Sequence, residues 1–128
     1  MAQLFSLGHM ALNALQISGL VEAELARITS PQVSALLRSL LVTPRCESRA
    51  WDYGEPGTEY PCWIVAEHSP SNTAFAYCEQ GFGPSFPWGL LFISGKYLSI
   101  GMDSDWHETL EEVFRESQAW PESSSTLV

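Results

Sequence analysis

Positive charge is scarce in this chain: Lys and Arg number 6 against 15 Asp and Glu, for a net charge of −9. Such a surface is repelled by phosphate backbones and by anionic lipid, so neither nucleic acid nor a membrane surface is an expected partner. A basic protein fits the charge better. Cysteine is scarce too, and Cys46, Cys62 and Cys78 are an odd number with no C-x-x-C spacing. That argues against a zinc knuckle and against a secreted disulfide framework, and the three are expected as reduced thiols of a cytoplasmic protein. The apolar opening has no Lys or Arg before it and is interrupted by His9, Asn13 and Gln16, so neither an export signal nor a membrane anchor is expected. Walker-type loops, dinucleotide fingerprints and nucleophile elbows are all missing. The Gly-rich stretch GFGPSFPWG carries too much proline and has no helix behind it.

What is present suits one α+β domain over residues 1–128, with an ordinary apolar fraction of 45%. Residues 1–44 form a helical part. Leu4, Leu7, Ala11, Ala14 and Leu15 recur at helical steps, as do Val21, Leu25 and Ile28, which predicts helices over about 4–16 and 20–28. Gly19 ends or bends the first and Ser18 is placed to cap the second, and the pattern admits either two helices or one bent helix. Ser30 before Pro31 is an N-cap with proline in the first turn, and Val33, Leu36, Leu37, Leu40 and Leu41 continue as an apolar stripe. This predicts a third helix over about 31–42, stopped by Pro44. Residues 45–59 lack periodicity and read as a long loop.

Residues 60–120 read as a sheet plus a C-terminal helix. Short apolar runs split by turn residues predict about four antiparallel strands, near 61–68, 73–79, 89–94 and 97–102. Small Ala74, Ala76 and Cys78 alternate with Phe75, Tyr77 and Glu79. Small side chains let a helix approach closely, so that face is expected under the helices, with Trp63, Phe75 and Tyr77 on a partly exposed opposite face. Leu98, Ile100 and Met102 are expected inward. The loop QGFGPSFPWG either displays Phe82, Phe86 and Trp88 stiffly or plugs one end of the sheet. Thr109 and Glu112 form a capping box for a helix near 110–119, where Glu111 and Arg115 pair at i, i+4. Residues 121–128 are a patternless tail.

Catalytic arrangements are weak. Glu67 and His68 point to opposite faces of a strand, and Asp103, Asp105, His107 and Glu108 sit before a helix, where carboxylates are favoured electrostatically. No cofactor, no metal and no enzymatic activity are expected. The charge, by contrast, is informative. Residues 1–44 sum to zero and 45–51 to +1, whereas from Asp52 onward twelve acids face only Lys96 and Arg115.

The segments YPCWIVAEH, YCEQGFGPSFPWG and SIGMDSDWHETLEEVFRES, within residues 60–120, resemble small bacterial immunity proteins of antibacterial toxin systems. The resemblance covers about half the chain and its motifs are structural, so no functional residue is carried over. It implies a cytoplasmic binder of a cognate toxin or effector domain that blocks an active site or substrate groove. An acidic partner suits a positive cleft, with aromatic anchors supplying affinity and carboxylates setting approach. The candidate anchors are Trp51, Tyr53, Phe82, Phe86 and Trp88, and the candidate charged contacts are Asp52, Glu55, Glu59, Asp103 and Asp105. Two alternatives stand beside this one: a small enzyme or ligand-binding domain with a site near His68, Asp103 and His107, and an adaptor subunit using the same surface.

Overall fold

The computed structural model describes residues 12–51, 54–96 and 98–121, with the side chain of Asp103 outside that description. Three helices and a five-stranded antiparallel sheet of order β1-β2-β3-β4-β5 make up the described chain, an α+β architecture. No helix among the described residues is long and apolar enough to cross a membrane.

Helix α1, Ala14–Arg27, starts at a reciprocal capping box: Asn13 Oδ1 accepts from Gln16 N at 2.8 Å and Gln16 Oε1 accepts from Asn13 N at 2.9 Å. It runs unbroken through Ser18 and Gly19, so the helix boundary expected there is not present and Ser18 does not cap a helix. The expected helix over 4–16 lies mostly outside the described residues. The buried stripe is Ile17, Val21 and Leu25, one residue per turn, and Leu15 points to solvent instead of joining it. Burying each of these three contributes about 1.5–3 kcal/mol before chain entropy is counted. Helix α2, Pro31–Leu40, has Ser30 Oγ accepting from Val33 N at 3.2 Å, and it buries Val33 and Leu37.

The chain then enters strand β1, Leu41–Ala50, with no intervening loop. The expected long loop over 45–59 is therefore corrected: residues 45–50 pair with Glu59–Ile64 of β2, Glu59–His68. Along this edge strand the alternating residues are Arg45, Glu47 and Arg49, so the period-2 signal is carried by charge. Pro44 sits at a register shift between Leu41 and Arg45, where a missing N–H costs the ladder nothing.

Strand β3, Thr73–Tyr77, pairs with β2, and β4, Trp88–Phe92, pairs with β3. Among the described residues 98–102 the expected strand does not form. The fifth strand is β5, Trp106–His107, opposite Trp88 and Gly89. Leu98, Ile100 and Gly101 give their carbonyls to side chains: Leu98 O accepts from Arg49 Nη1 at 3.1 Å, Ile100 O from Trp106 Nε1 at 2.6 Å, and Gly101 O from Trp51 Nε1 at 2.9 Å. Of the trio expected inward only Ile100 is buried; Leu98 and Met102 are exposed.

Helix α3, Leu110–Arg115, is shorter than the expected 110–119 and too short to persist on propensity alone. Its Thr109–Glu112 capping box forms, Glu24 Oε1 of α1 accepts from Leu110 N at 2.9 Å, and Leu110, Val113 and Phe114 are buried. The Glu111–Arg115 pair is present at 2.9 Å.

The two sheet faces are the reverse of the expectation. Phe75, Tyr77, Trp88 and Val65, with Trp63 partly buried beside them, pack against α1, α2 and α3. A register shift between Ile64 and Ala66 lets both Val65 and Ala66 reach this layer. The small residues Cys62, Ala74, Ala76 and Cys78 instead form the floor of a second core with Ile64, Leu91, Ile100 and Trp106. Space left by small side chains is filled there by flat rings from loops. The closest fit is at Gly89, where an added Cβ would lie 2.3 Å from the Trp106 ring.

Two glycine substitutions should therefore have opposite signs in urea unfolding. Gly89→Ala is expected to destabilise by about 1–3 kcal/mol through overpacking against Trp106. Gly19→Ala, in open space within α1, is expected to stabilise by about 0.5–1 kcal/mol.

Candidate functional site

One end of the sheet collects the C-terminal ends of β1, β3 and β5 and the N-terminal ends of β2 and β4. Trp51, residues 54–58, the connection 78–87 and the residues directly after His107 all lie at that end. Segment 98–105 reaches it as well, since Ile100 N donates to Ala50 O at 2.9 Å and Trp51 Nε1 donates to Gly101 O. A stack of rings ties these pieces together. Trp51 meets Phe82 edge-on with centroids 5.2 Å apart, and Phe82 lies 6.1 Å from Trp106, which covers Gly89. Each such pair contributes about 0.5–1.5 kcal/mol beyond its burial.

The proposed anchors divide accordingly. Trp51 and Phe82 are half-buried and build the stack, so they support the surface more than they display it. Phe86, on the 78–87 connection, is 50% exposed and available. Trp88 is 3% exposed, locked edge-on to Tyr77 on the helix side at 4.8 Å; as an anchor it is withdrawn, because it begins β4 with its ring facing the core. Tyr53 and Asp52 lie outside the described residues, as does the side chain of Asp103. Glu55 and Glu59 are exposed. Asp105 builds a turn: its Oδ2 accepts from Met102 N at 3.1 Å, and it sits 2.8 Å from where a Cβ on Gly101 would be. Gly101, at φ +82°, is the residue that permits this close approach.

Sequence reasoning missed how the cations are spent. All five arginines face carboxylates: Arg27 with Glu24, Arg38 with Glu22, Arg45 with Glu47 and Glu67, Arg49 with Glu47, and Arg115 with Glu111. Among the described residues no ion pair reaches Glu55, Glu59, Glu79 or Glu108, and all four are exposed. Glu55, Glu79 and Glu108 lie on the connections at the stacked end of the sheet and Glu59 begins β2 there, while exposed Glu112 and Glu116, likewise outside these ion pairs, lie on α3 and its C-cap. Glu79 also accepts a short hydrogen bond from Tyr77 Oη, and burial followed by that bond pushes the Tyr77 phenol well above its ordinary range.

Arg49 was equally invisible in the sequence. It is 6% exposed, and it links β1 to the end of β4 and the segment after it by donating from Nη1 to Phe92 O and Leu98 O, both at 3.1 Å. Its Nη2 donates to Glu47 Oε1 at 2.6 Å. That guanidinium, ahead of Arg45, holds the Glu47 carboxyl below its usual range.

The alternative site near His68, Asp103 and His107 is not brought together. His68 lies opposite Thr73 at one end of the sheet, with Nδ1 2.7 Å from Ser71 Oγ, whereas His107 lies opposite Trp88 at the other end, across two further strands. Among the described residues no three His, Cys, Asp or Glu side chains are grouped as metal ligands. No protein-family model, curated protein or solved structure matches this chain.

The Glu47–Arg49 pair gives a pH test. A carboxyl held low in the folded state contributes stability that is present above the ordinary carboxylate range and lost as pH falls through the folded value. Glu47→Gln is expected to cost about 1–3 kcal/mol at pH 7 by leaving Arg49 short of its partner. It should also flatten the decline of stability below about pH 5. Denaturant melts across pH 3–7 read both effects.

Proposed function

We propose that this protein is an immunity protein: it binds a cognate antibacterial toxin domain and covers that domain's active site or substrate groove, without turnover of its own. The observation that carries this reading is the placement of unpaired charge. Every arginine is already committed to a carboxylate, and of the exposed acids left over among the described residues Glu55, Glu59, Glu79 and Glu108 share one end of the sheet with the exposed ring of Phe86, while Glu112 and Glu116 lie on α3 and its C-cap. A surface of this kind attracts a positively charged cleft over a Debye length and offers an apolar anchor at contact. The ring stack beneath it fixes the loops before binding, which limits the entropy lost on docking. The partner is a basic protein surface, and the protein acts where such a toxin acts, in the cytoplasm.

The test is a complex with the toxin encoded beside this gene. Cells carrying the protein should survive that toxin and cells lacking it should die. In surface binding experiments, Glu55→Lys with Glu59→Lys should slow association by about tenfold at low salt with little change in dissociation. Phe86→Ala should act mainly on dissociation, raising Kd by about tenfold or more. A toxin tolerated equally without this gene would contradict the reading, as would binding indifferent to all three substitutions.

A further inference from the structure

Two nucleophiles are left unused by that reading. Trp63 lies opposite Tyr77 across β2 and β3, so the next step of the antiparallel ladder puts Cys62 opposite Cys78. Directly opposed residues have Cα atoms about 4.5–5.5 Å apart, inside the span of about 4.4–6.8 Å that a disulfide bridges. Both side chains belong to the loop-covered core, and neither is more than 1% exposed. Gly81 packs beside Cys78: an added Cβ there would lie 3.7 Å from Cys78 Sγ and 3.1 Å from Ile100 Cδ1.

The two thiols are chemically unequal. The Cys62 thiol beside it, with the backbone N–H groups of Gln80 and Gly81, draws the Cys78 thiol down to about 7 against the opposing effect of burial. The same neighbour, together with burial, pushes Cys62 far up. The single proton of Cys62 has two acceptors in reach, the Cys78 sulfur and Tyr60 O at 3.6 Å. A thiolate next to a protonated thiol is the arrangement that sulfur oxidation uses, the first attacking and the second resolving. Cys46 is outside this arrangement. It lies opposite Trp63 on the other face of the sheet, is exposed, and has its thiol raised chiefly by burial.

We propose that Cys62 and Cys78 form a hydroperoxide-responsive dithiol that closes to a cross-strand disulfide. The Cys78 thiolate attacks one peroxide oxygen, the O–O bond breaks, and the departing oxygen takes a proton and leaves as water, giving a sulfenic acid on Cys78. The Cys62 sulfur, losing its proton, then attacks the Cys78 sulfur. An S–S bond forms, and the sulfenic hydroxyl leaves with that proton as a second water. Two thiols are oxidised by two electrons in total and one hydrogen peroxide is reduced to two waters.

The test uses the full reduced chain treated with near-stoichiometric hydrogen peroxide at pH 7.5, then denatured, labelled with N-ethylmaleimide and weighed intact. Three labels are expected before oxidation and one after, the remaining label mapping to Cys46 and a linked peptide joining Cys62 to Cys78 in a monomer. The Cys46→Ser variant should go from two labels to none over the same time. Any of three results overturns the proposal: all thiols persisting at a dose that oxidises the urea-unfolded chain, lost labels traced to dimers through Cys46, or further oxidation of Cys78 while Cys62 stays free.

Discussion

The contact of the Trp106 indole with the bare backbone of Gly89 is the constraint on which the functional end of this molecule rests. A side chain at Gly89 would occupy the volume of the ring. With the ring seated, Trp106 Nε1 takes Ile100 O, Phe82 packs on Trp106, Trp51 packs on Phe82, and Trp51 Nε1 takes Gly101 O. Three chain segments with little regular structure are thereby fixed to one face of a sheet. Their backbone groups are satisfied by side chains where no strand is present to do so.

Charge is distributed over this frame with a clear asymmetry. The arginines staple structure: Arg49 holds β1 to the end of β4 and the segment after it, Arg45 joins neighbouring strands through Glu67, and Arg115 pairs along α3. The exposed pairs of Arg45 and Arg115 contribute at most about 1 kcal/mol each, so their larger effect is to remove positive charge from the surface. What remains at the stacked end is carboxylate. Such a concentration repels itself modestly in the free protein and would attract a cationic partner, the trade expected of the proposed docking surface.

The legible parts of the sequence were those where local chemistry decides the outcome. Ser30–Pro31 and Thr109–Glu112 cap the helices they were expected to cap, and Glu111 pairs with Arg115, because each depends on residues within one turn. Strand β1 escaped notice because an edge strand can alternate charge with polar residues and need not alternate apolar ones. The faces were inverted because small residues make room without saying what enters it: a helix backbone and a flat indole both fit over Ala76 and Gly89. Trp88 misled for a related reason. In a loop it would be displayed, but as the first residue of β4 it shares a face with Leu90 in the helix-side core. Of the candidate contacts, Phe86, Glu55 and Glu59 are exposed, while Trp51, Phe82 and Asp105 are supports of the surface.

The proposed docking end of the sheet thus joins a rigid ring stack to an acidic rim. Hydrogen–deuterium exchange on the complex with the neighbouring toxin tests this most directly. Protection on binding is expected in residues 54–59, 79–87 and 106–109, with α1 and α2 unchanged. Protection confined to the helical layer, with those connections exchanging as in the free protein, would contradict it.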